Sequence, residues 1–168
     1  MMKMLAVALT ITIAAPCARA ADIAAICFTP GGDCTDIIVH EIDSAHRQVL
    51  VQAYSFTSAP IADALVKAKK RGVDVQAVLD RSQRTERYTG ATFLANGGVP
   101  VLIDSAHAIA HNKVMVIDGA TVITGSFNFT KAAQEHNAEN LLVIRDAGVA
   151  SMYANNWREH AEHSEPYR

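Results

Sequence analysis

The chain has 168 residues, half of them hydrophobic, which fits a single domain able to bury a sizeable core. Fifteen basic residues against 17 acidic ones give a formal charge of −2, which excludes a polybasic protein holding nucleic acid by net charge alone. Any such attraction must come from a local patch.

The first 20 residues stand apart from the rest. Lys3 gives a positive start, Leu5 to Ala15 is apolar, and Ala18-Arg19-Ala20 is a small-x-small cleavage site. This predicts a secretory signal peptide cut after Ala20. A retained membrane anchor is the rival reading, but the apolar run is short for a span. Cys17 follows Pro16, which argues against lipoprotein processing. The expected mature protein, residues 21–168, is one domain, periplasmic or secreted, with no stable membrane association. Cleavage would remove Lys3 and Arg19 but no acid, taking the charge from −2 to about −4. It would leave Cys27 and Cys34, an even pair that in an exported chain favours a disulfide over Thr29-Pro30-Gly31-Gly32. A metal site is the rival there, with no nearby C-x-x-C or paired histidines to support it.

The elements then follow in order. Asp33 to His46 reads as a helix, with Ile38, Ile42 and Ala45 at helical spacing and Asp33 placed to cap it. Val49 to Phe56 is a strand. Ser58 to Arg71 is the clearest helix: Ser58 as N-cap, Pro60 in the first turn, Asp63 near the positive end, Gly72 beyond the last turn. Its terminal Lys67, Lys69, Lys70 and Arg71 complement the helix dipole. Val73 to Leu79 is a strand, and Asp80 to Tyr88 is a polar loop carrying Arg81, Arg84 and Arg87. α/β proteins often place ligand sites at such strand ends. The three arginines are therefore candidate phosphate contacts, with a solvated loop as the rival. A short helix spans Gly90 to Asn96, and Val99 to Ile103 is the next strand. In the loop Asp104 to Ala110, His107 lies four residues before His111. On a helix the two could share a zinc ion, but a loop leading into a strand argues against it.

The stretch His111 to Asn128 carries two apolar, β-branched runs around Asp118-Gly119, a hairpin signal. Strand alternation puts His111 and Lys113 on one face, and Ser126 and Asn128 on one face. With a two-residue loop, Gly119-Ala120, Lys113 falls opposite Ser126 and His111 opposite Asn128. Thr130 can cap a short helix through Glu135. Glu139 to Arg145 is a strand, and Gly148 to His163 a closing helix whose Met152, Tyr153 and Trp157 are expected to face the core. Alternating strands and helices predict a layered α/β fold, and the hairpin makes its sheet mixed.

One imidazole and three donors, with no carboxylate among them to hold a metal, suit an anion with several oxygens such as phosphate. His111-x-Lys113-x4-Asp118 followed by Gly125-Ser126-x-Asn128 resembles the HKD motif of the phospholipase D superfamily, most closely its small bacterial endonucleases with one motif per chain. The resemblance implies a mixed sheet with helices on both faces and no cofactor. It implies a homodimer in which two motifs meet, one His111 forming a phosphohistidine and the other acting as general acid and base. It also carries to Glu139 the role of an acid orienting that histidine. Asp118, about 23 Å along a straight strand from His111, reads as a turn-shaping residue. The leading expectation is a metal-independent endonuclease cutting DNA, or RNA as well. The alternatives are a phospholipase D acting on lipid headgroups, an inactive nucleic-acid or anion-binding protein, and a zinc hydrolase using His107 and His111.

Overall fold

The computed structural model describes residues 20–85 and 89–167. The segment before Cys34, unassigned above, forms β1 (Asp22–Thr29), and Cys27 is disulfide-bonded to Cys34 with their Cα atoms 5.6 Å apart. There follow α1 (Cys34–Asp43), β2 (Gln48–Ala53), α2 (Ala59–Lys70) and β3 (Asp74–Asp80). A 3-10 turn (Arg81–Arg84) leads to α3 (Gly90–Asn96), β4 (Val101–Asp104), β5 (Lys113–Ile117) and β6 (Thr121–Gly125). The chain ends with α4 (Lys131–Glu135), β7 (Glu139–Arg145), α5 (Ala147–Glu162) and β8 (Glu165–Pro166).

The strands form one mixed sheet in the order β1-β7-β6-β5-β2-β3-β4-β8. Only β2, β3 and β4 run parallel to their neighbours within this group; the remaining pairings are antiparallel. Period-two alternation divides the side chains between two cores. Val49, Val51, Val75, Ala77, Leu79, Met115 and Ile123 pack under α1, α2 and α3. Leu50, Val78, Val114, Val116 and Val122 pack under Ala150, Ala154 and Trp157 of α5. Each large aliphatic buried this way contributes about 1.5–3 kcal/mol. The Trp157 indole also donates to the Val51 carbonyl at 2.8 Å. The fold is thus the expected mixed α/β sheet with helices on both faces.

Four local expectations are corrected. Met152 is exposed, because the buried stripe of α5 runs through Ala150, Ala154 and Trp157 and Met152 lies off it, while Tyr153 packs half-buried beside that stripe. Asp33 and Ser58 occupy N-cap positions without a side-chain capping bond, whereas Thr130 and Asp146 do cap their helices. Asp63 is held by Lys67 at 2.7 Å, and Arg71 donates to the Ile42 and Asp43 carbonyls, docking the end of α2 on α1.

The fourth correction concerns the hairpin. Met115 pairs with Ile123, Val116 with Val122 and Ile117 with Thr121, so the register is one residue away from that expected. Asp118, Gly119 and Ala120 make the turn, with φ of 54° at Asp118 and 66° at Gly119. The cause lies outside the hairpin. The Asp118 carboxylate accepts backbone N–H bonds from His46, Arg47 and Gln48 at 2.7–2.9 Å, which lifts Asp118 out of the strand. Burial pushes this carboxyl up, but the three donors outweigh it and hold it below the usual carboxylate range.

Candidate active site

The site residues gather at the C-terminal ends of the parallel strands. Asp80 and Asp104, the last residues of β3 and β4, are register partners and both are buried. Asp80 accepts the Ser82 N–H at 2.9 Å and the Ala110 N–H at 2.7 Å; Asp104 accepts the Ala106 N–H at 3.0 Å. Two buried carboxylates therefore pin the loop that delivers His111. Beyond it, Tyr54 N–H donates to the Asn112 carbonyl at 2.8 Å, joining the loop to the end of β2.

His111 is exposed, its ring centroid 4.8 Å from that of Tyr54. Lys113, two residues on, is buried. Its ammonium donates to the His111 carbonyl at 2.7 Å and lies 5.0 Å from the Tyr54 ring centroid, a cation–π distance. Burial pushes the Lys113 ammonium below its ordinary value, and the nearby negative charges of Glu139 and Asp80 oppose that shift.

The second arm of the site is Ser126-Phe127-Asn128-Phe129. Phe127 and Phe129 are fully buried, and Phe129 bridges Phe56 by backbone and meets its ring edge-on at 6.2 Å. Anchoring the two phenylalanines turns Ser126 and Asn128 to the other side. Gly125 makes this possible. Its φ is 148°, and a Cβ there would lie 2.3 Å from the Asn140 carbonyl oxygen. That carbonyl accepts from both Ser126 N–H and Phe127 N–H, so the chain bulges as it leaves β6. Ser126 Oγ accepts from the Asn140 backbone at 3.0 Å and from its side-chain amide at 3.2 Å. The Asn128 Oδ1 atom is buried with no hydrogen-bond partner among the described residues.

Glu139 opens β7 next to Asn140. Its carboxylate accepts from the Asn137 amide at 3.1 Å, and among the described residues no hydrogen bond joins it to His111. Its charge bears on Lys113, where it opposes the effect of burial. Arg81 and Arg84 stand on the 3-10 turn. Arg84 pairs with Glu165 at 3.3 Å, with both side chains well exposed, and Arg87 lies outside the described residues. His107 does not approach His111 as a ligand partner; it joins His160 and His163 around Asp104.

Tyr54, Asp80 and Asn140 escaped the sequence reading. For Asp80 a signal existed: an acid closing an apolar strand of a parallel pair. Tyr54 and Asn140 act through register with distant strands and left no local signal. Together these residues present one open imidazole, a buried cation, a hydroxyl and an amide whose NH2 can donate, a set that can receive an anion with several oxygens.

Residues 38–161 match the family described as cardiolipin synthase, PLD-like domain. Over 131 residues, 78% of this chain, the sequence is 45% identical to the phospholipase D of Rickettsia conorii; the match covers 66% of that relative, just under two thirds of its length. The fold superposes on the crystal structure of Nuc, a phospholipase D family member from Salmonella typhimurium, with a TM-score of 0.83 and 40% identity, covering 86% of this chain and 97% of Nuc. It also superposes on NucT from Helicobacter pylori, with a TM-score of 0.75 and 26% identity, over 80% and 91% of the two chains. The chain belongs to the phospholipase D superfamily, a group of phosphodiesterases.

Proposed function

We propose that the mature chain is a metal-independent phosphodiesterase acting as an endonuclease on DNA, with RNA as a second substrate. The observation that carries this reading is the exposed His111 imidazole and the buried Lys113 ammonium, both set against the Tyr54 ring, with Ser126 and Asn128 on the arm that leaves β6.

Phosphodiester hydrolysis needs a nucleophile, a proton for the leaving oxygen, and donors for the charge on the other oxygens. His111 attacks phosphorus, the bond to the leaving oxygen breaks, and a phosphohistidine forms. Lys113, Ser126 and the Asn128 amide hold the non-bridging oxygens. Glu139 and Asp80 help keep Lys113 protonated despite its burial. The leaving oxygen takes its proton from His111 of the partner subunit, which then removes a proton from the water that cleaves the phosphohistidine. Each chain offers one imidazole to this patch, so the cycle calls for a two-fold homodimer. The exposed edge supports such a contact: Ile26 and Phe28 of β1 are 58% and 66% exposed, and Phe28 pairs with Asn140, the residue that holds Ser126.

The nucleic-acid substrate rests on the resemblance to single-motif endonucleases, on the likeness to Nuc over nearly its whole length, and on Arg81, exposed on the turn that follows Asp80. The same exposed Phe28 and Ile26 favour a second reading, in which they meet a lipid surface and the substrate is a phospholipid headgroup, as the name of the Rickettsia relative suggests.

Supercoiled plasmid and phosphatidylcholine vesicles, each incubated with the mature protein in excess EDTA, separate the two. Plasmid nicking that disappears in His111→Ala is the expected result. Choline release without nicking would overturn the nuclease reading, and nicking that EDTA abolishes while leaving the Tm unchanged would overturn metal independence.

A further inference from the structure

At the end of the sheet where β4 stops, four side chains from three separate segments converge. Asp104 Oδ2 lies 2.7 Å from His160 Nδ1, 2.9 Å from His107 Nδ1 and 3.3 Å from His163 Nε2. One donor atom from each of the four residues lies within 4.8 Å of all the others. The three imidazole rings sit 4.8–5.4 Å apart, centroid to centroid. We propose that Asp104, His107, His160 and His163 bind a divalent transition metal, zinc foremost, which ties the loop preceding His111 to the end of α5.

Hydrogen bonding alone accounts poorly for the cluster. A carboxylate oxygen offers about two lone-pair sites, and Oδ2 faces three imidazole nitrogens. The other oxygen is already engaged by the Ala106 N–H and a longer approach of His107. A cation at the centre would take one lone pair from each ligand and remove the crowding. The spacing suits it. Tetrahedral zinc with bonds of about 2.0–2.2 Å holds its ligand atoms about 3.3–3.5 Å apart. From 2.7, 2.9 and 3.3 Å the nitrogen-to-Oδ2 distances need to open by at most about 0.8 Å, and the widest pair, 4.8 Å, to close by about 1.3–1.5 Å.

The donor set is also built in place. Asp104 is completely buried at the end of β4, locked by its register with Asp80. His160 and His163 are three residues apart at the end of α5 and share a helix face. The side chains of His160, His163 and His107 are 13%, 37% and 47% exposed, so the cluster has a buried carboxylate floor and an open mouth through which an ion can enter. Imidazole and carboxylate donors suit zinc, and nickel or copper by the general affinity order. Four protein ligands make a closed site, and closed sites stabilise the fold. Here the loop they would stabilise runs through Ala110, directly before His111.

The test uses the mature protein with any purification tag removed, stripped with chelator and titrated with zinc chloride by calorimetry, with total metal measured in parallel. The expected result is saturable uptake of one zinc per chain, a rise in Tm of several degrees, and tetrahedral visible absorption when cobalt replaces zinc. His163→Gln and His107→Ala, both at partly exposed positions and checked for unchanged circular dichroism, should each weaken uptake at least about tenfold. His136→Ala, remote from the cluster, should leave uptake unchanged. Absence of saturable uptake by the wild type, or uptake equal in the His107/His163 double variant, would overturn the site.

Discussion

Two histidine-bearing sites, one with a single imidazole and one with three, share one end of the sheet and are organised around opposite buried charges. At one, the exposed His111 ring and the buried Lys113 ammonium both lie against Tyr54; at the other, three imidazoles close around the buried Asp104 carboxylate. The buried group sets the chemistry of its surroundings. A buried cation near an exposed imidazole leaves a demand for an anion, which a phosphodiester can meet. An anion under three rings leaves donor atoms facing inward, which a metal ion can meet. The same side chain, placed a few residues away along one loop, is suited to a reaction in the first cluster and to holding the fold in the second.

The largest expected effect tests whether these roles separate. His111→Ala should lower phosphodiesterase turnover at least about 10³-fold, the scale of losing a nucleophile and proton carrier, with Tm and zinc uptake unchanged. Retained turnover in that variant would erase the distinction between the clusters. Next comes the bulge that aims Ser126. Gly125→Ala forces a Cβ against the Asn140 carbonyl at a φ of 148°, and should cost about 2 kcal/mol or more of stability as measured by urea unfolding. An unchanged urea midpoint would show that the bulge relaxes without strain.

Asp118→Asn probes the hairpin that carries the first cluster. The folded carboxyl is held below its usual range, so its contribution is present above the unfolded value of about 3.9 and is lost as pH falls through the folded value. The variant should therefore be less stable than wild type at neutral pH, by about 1–2 kcal/mol, and the gap should shrink as the medium becomes acidic. A gap that is constant with pH would remove the charge from the explanation. The smallest effect belongs to Arg81→Ala, which should reduce the salt slope of DNA binding by about one unit if a single phosphate contact is lost. An unchanged slope would leave Arg81 as a solvated residue of the turn.

The two clusters also differed in how readily the sequence disclosed them. His111, Lys113, Ser126 and Asn128 lie in one short stretch, where alternation paired His111 with Lys113 and Ser126 with Asn128, while the register used to join the two pairs was one residue off. The Asp104 cluster draws His160 and His163 from a helix that reaches β4 only through the sheet, and D-x-x-H and H-x-x-H have no relation until the chain folds. The helices and central strands were legible because their apolar periodicity is strong. The hairpin register was not, because Asp118 answers to the N–H groups of His46, Arg47 and Gln48, which the hairpin sequence does not contain. The outward turn of Met152 was missed for a simpler reason: it is apolar but off the helical stripe.

The strand order has a kinetic consequence. β1 has β7 as its strand partner, and the nearest pairing, Thr29 with Glu139, already spans most of the chain. During synthesis the first strand must wait unpaired until the seventh emerges, with Ile23, Ile26 and Phe28 bare on an open edge. Long-range closure of this kind slows folding and leaves a template for association between nascent chains. A chain truncated before Glu139 should therefore aggregate rather than accumulate as a smaller folded unit, and a holdase that shields β1 should raise the yield of the full-length protein.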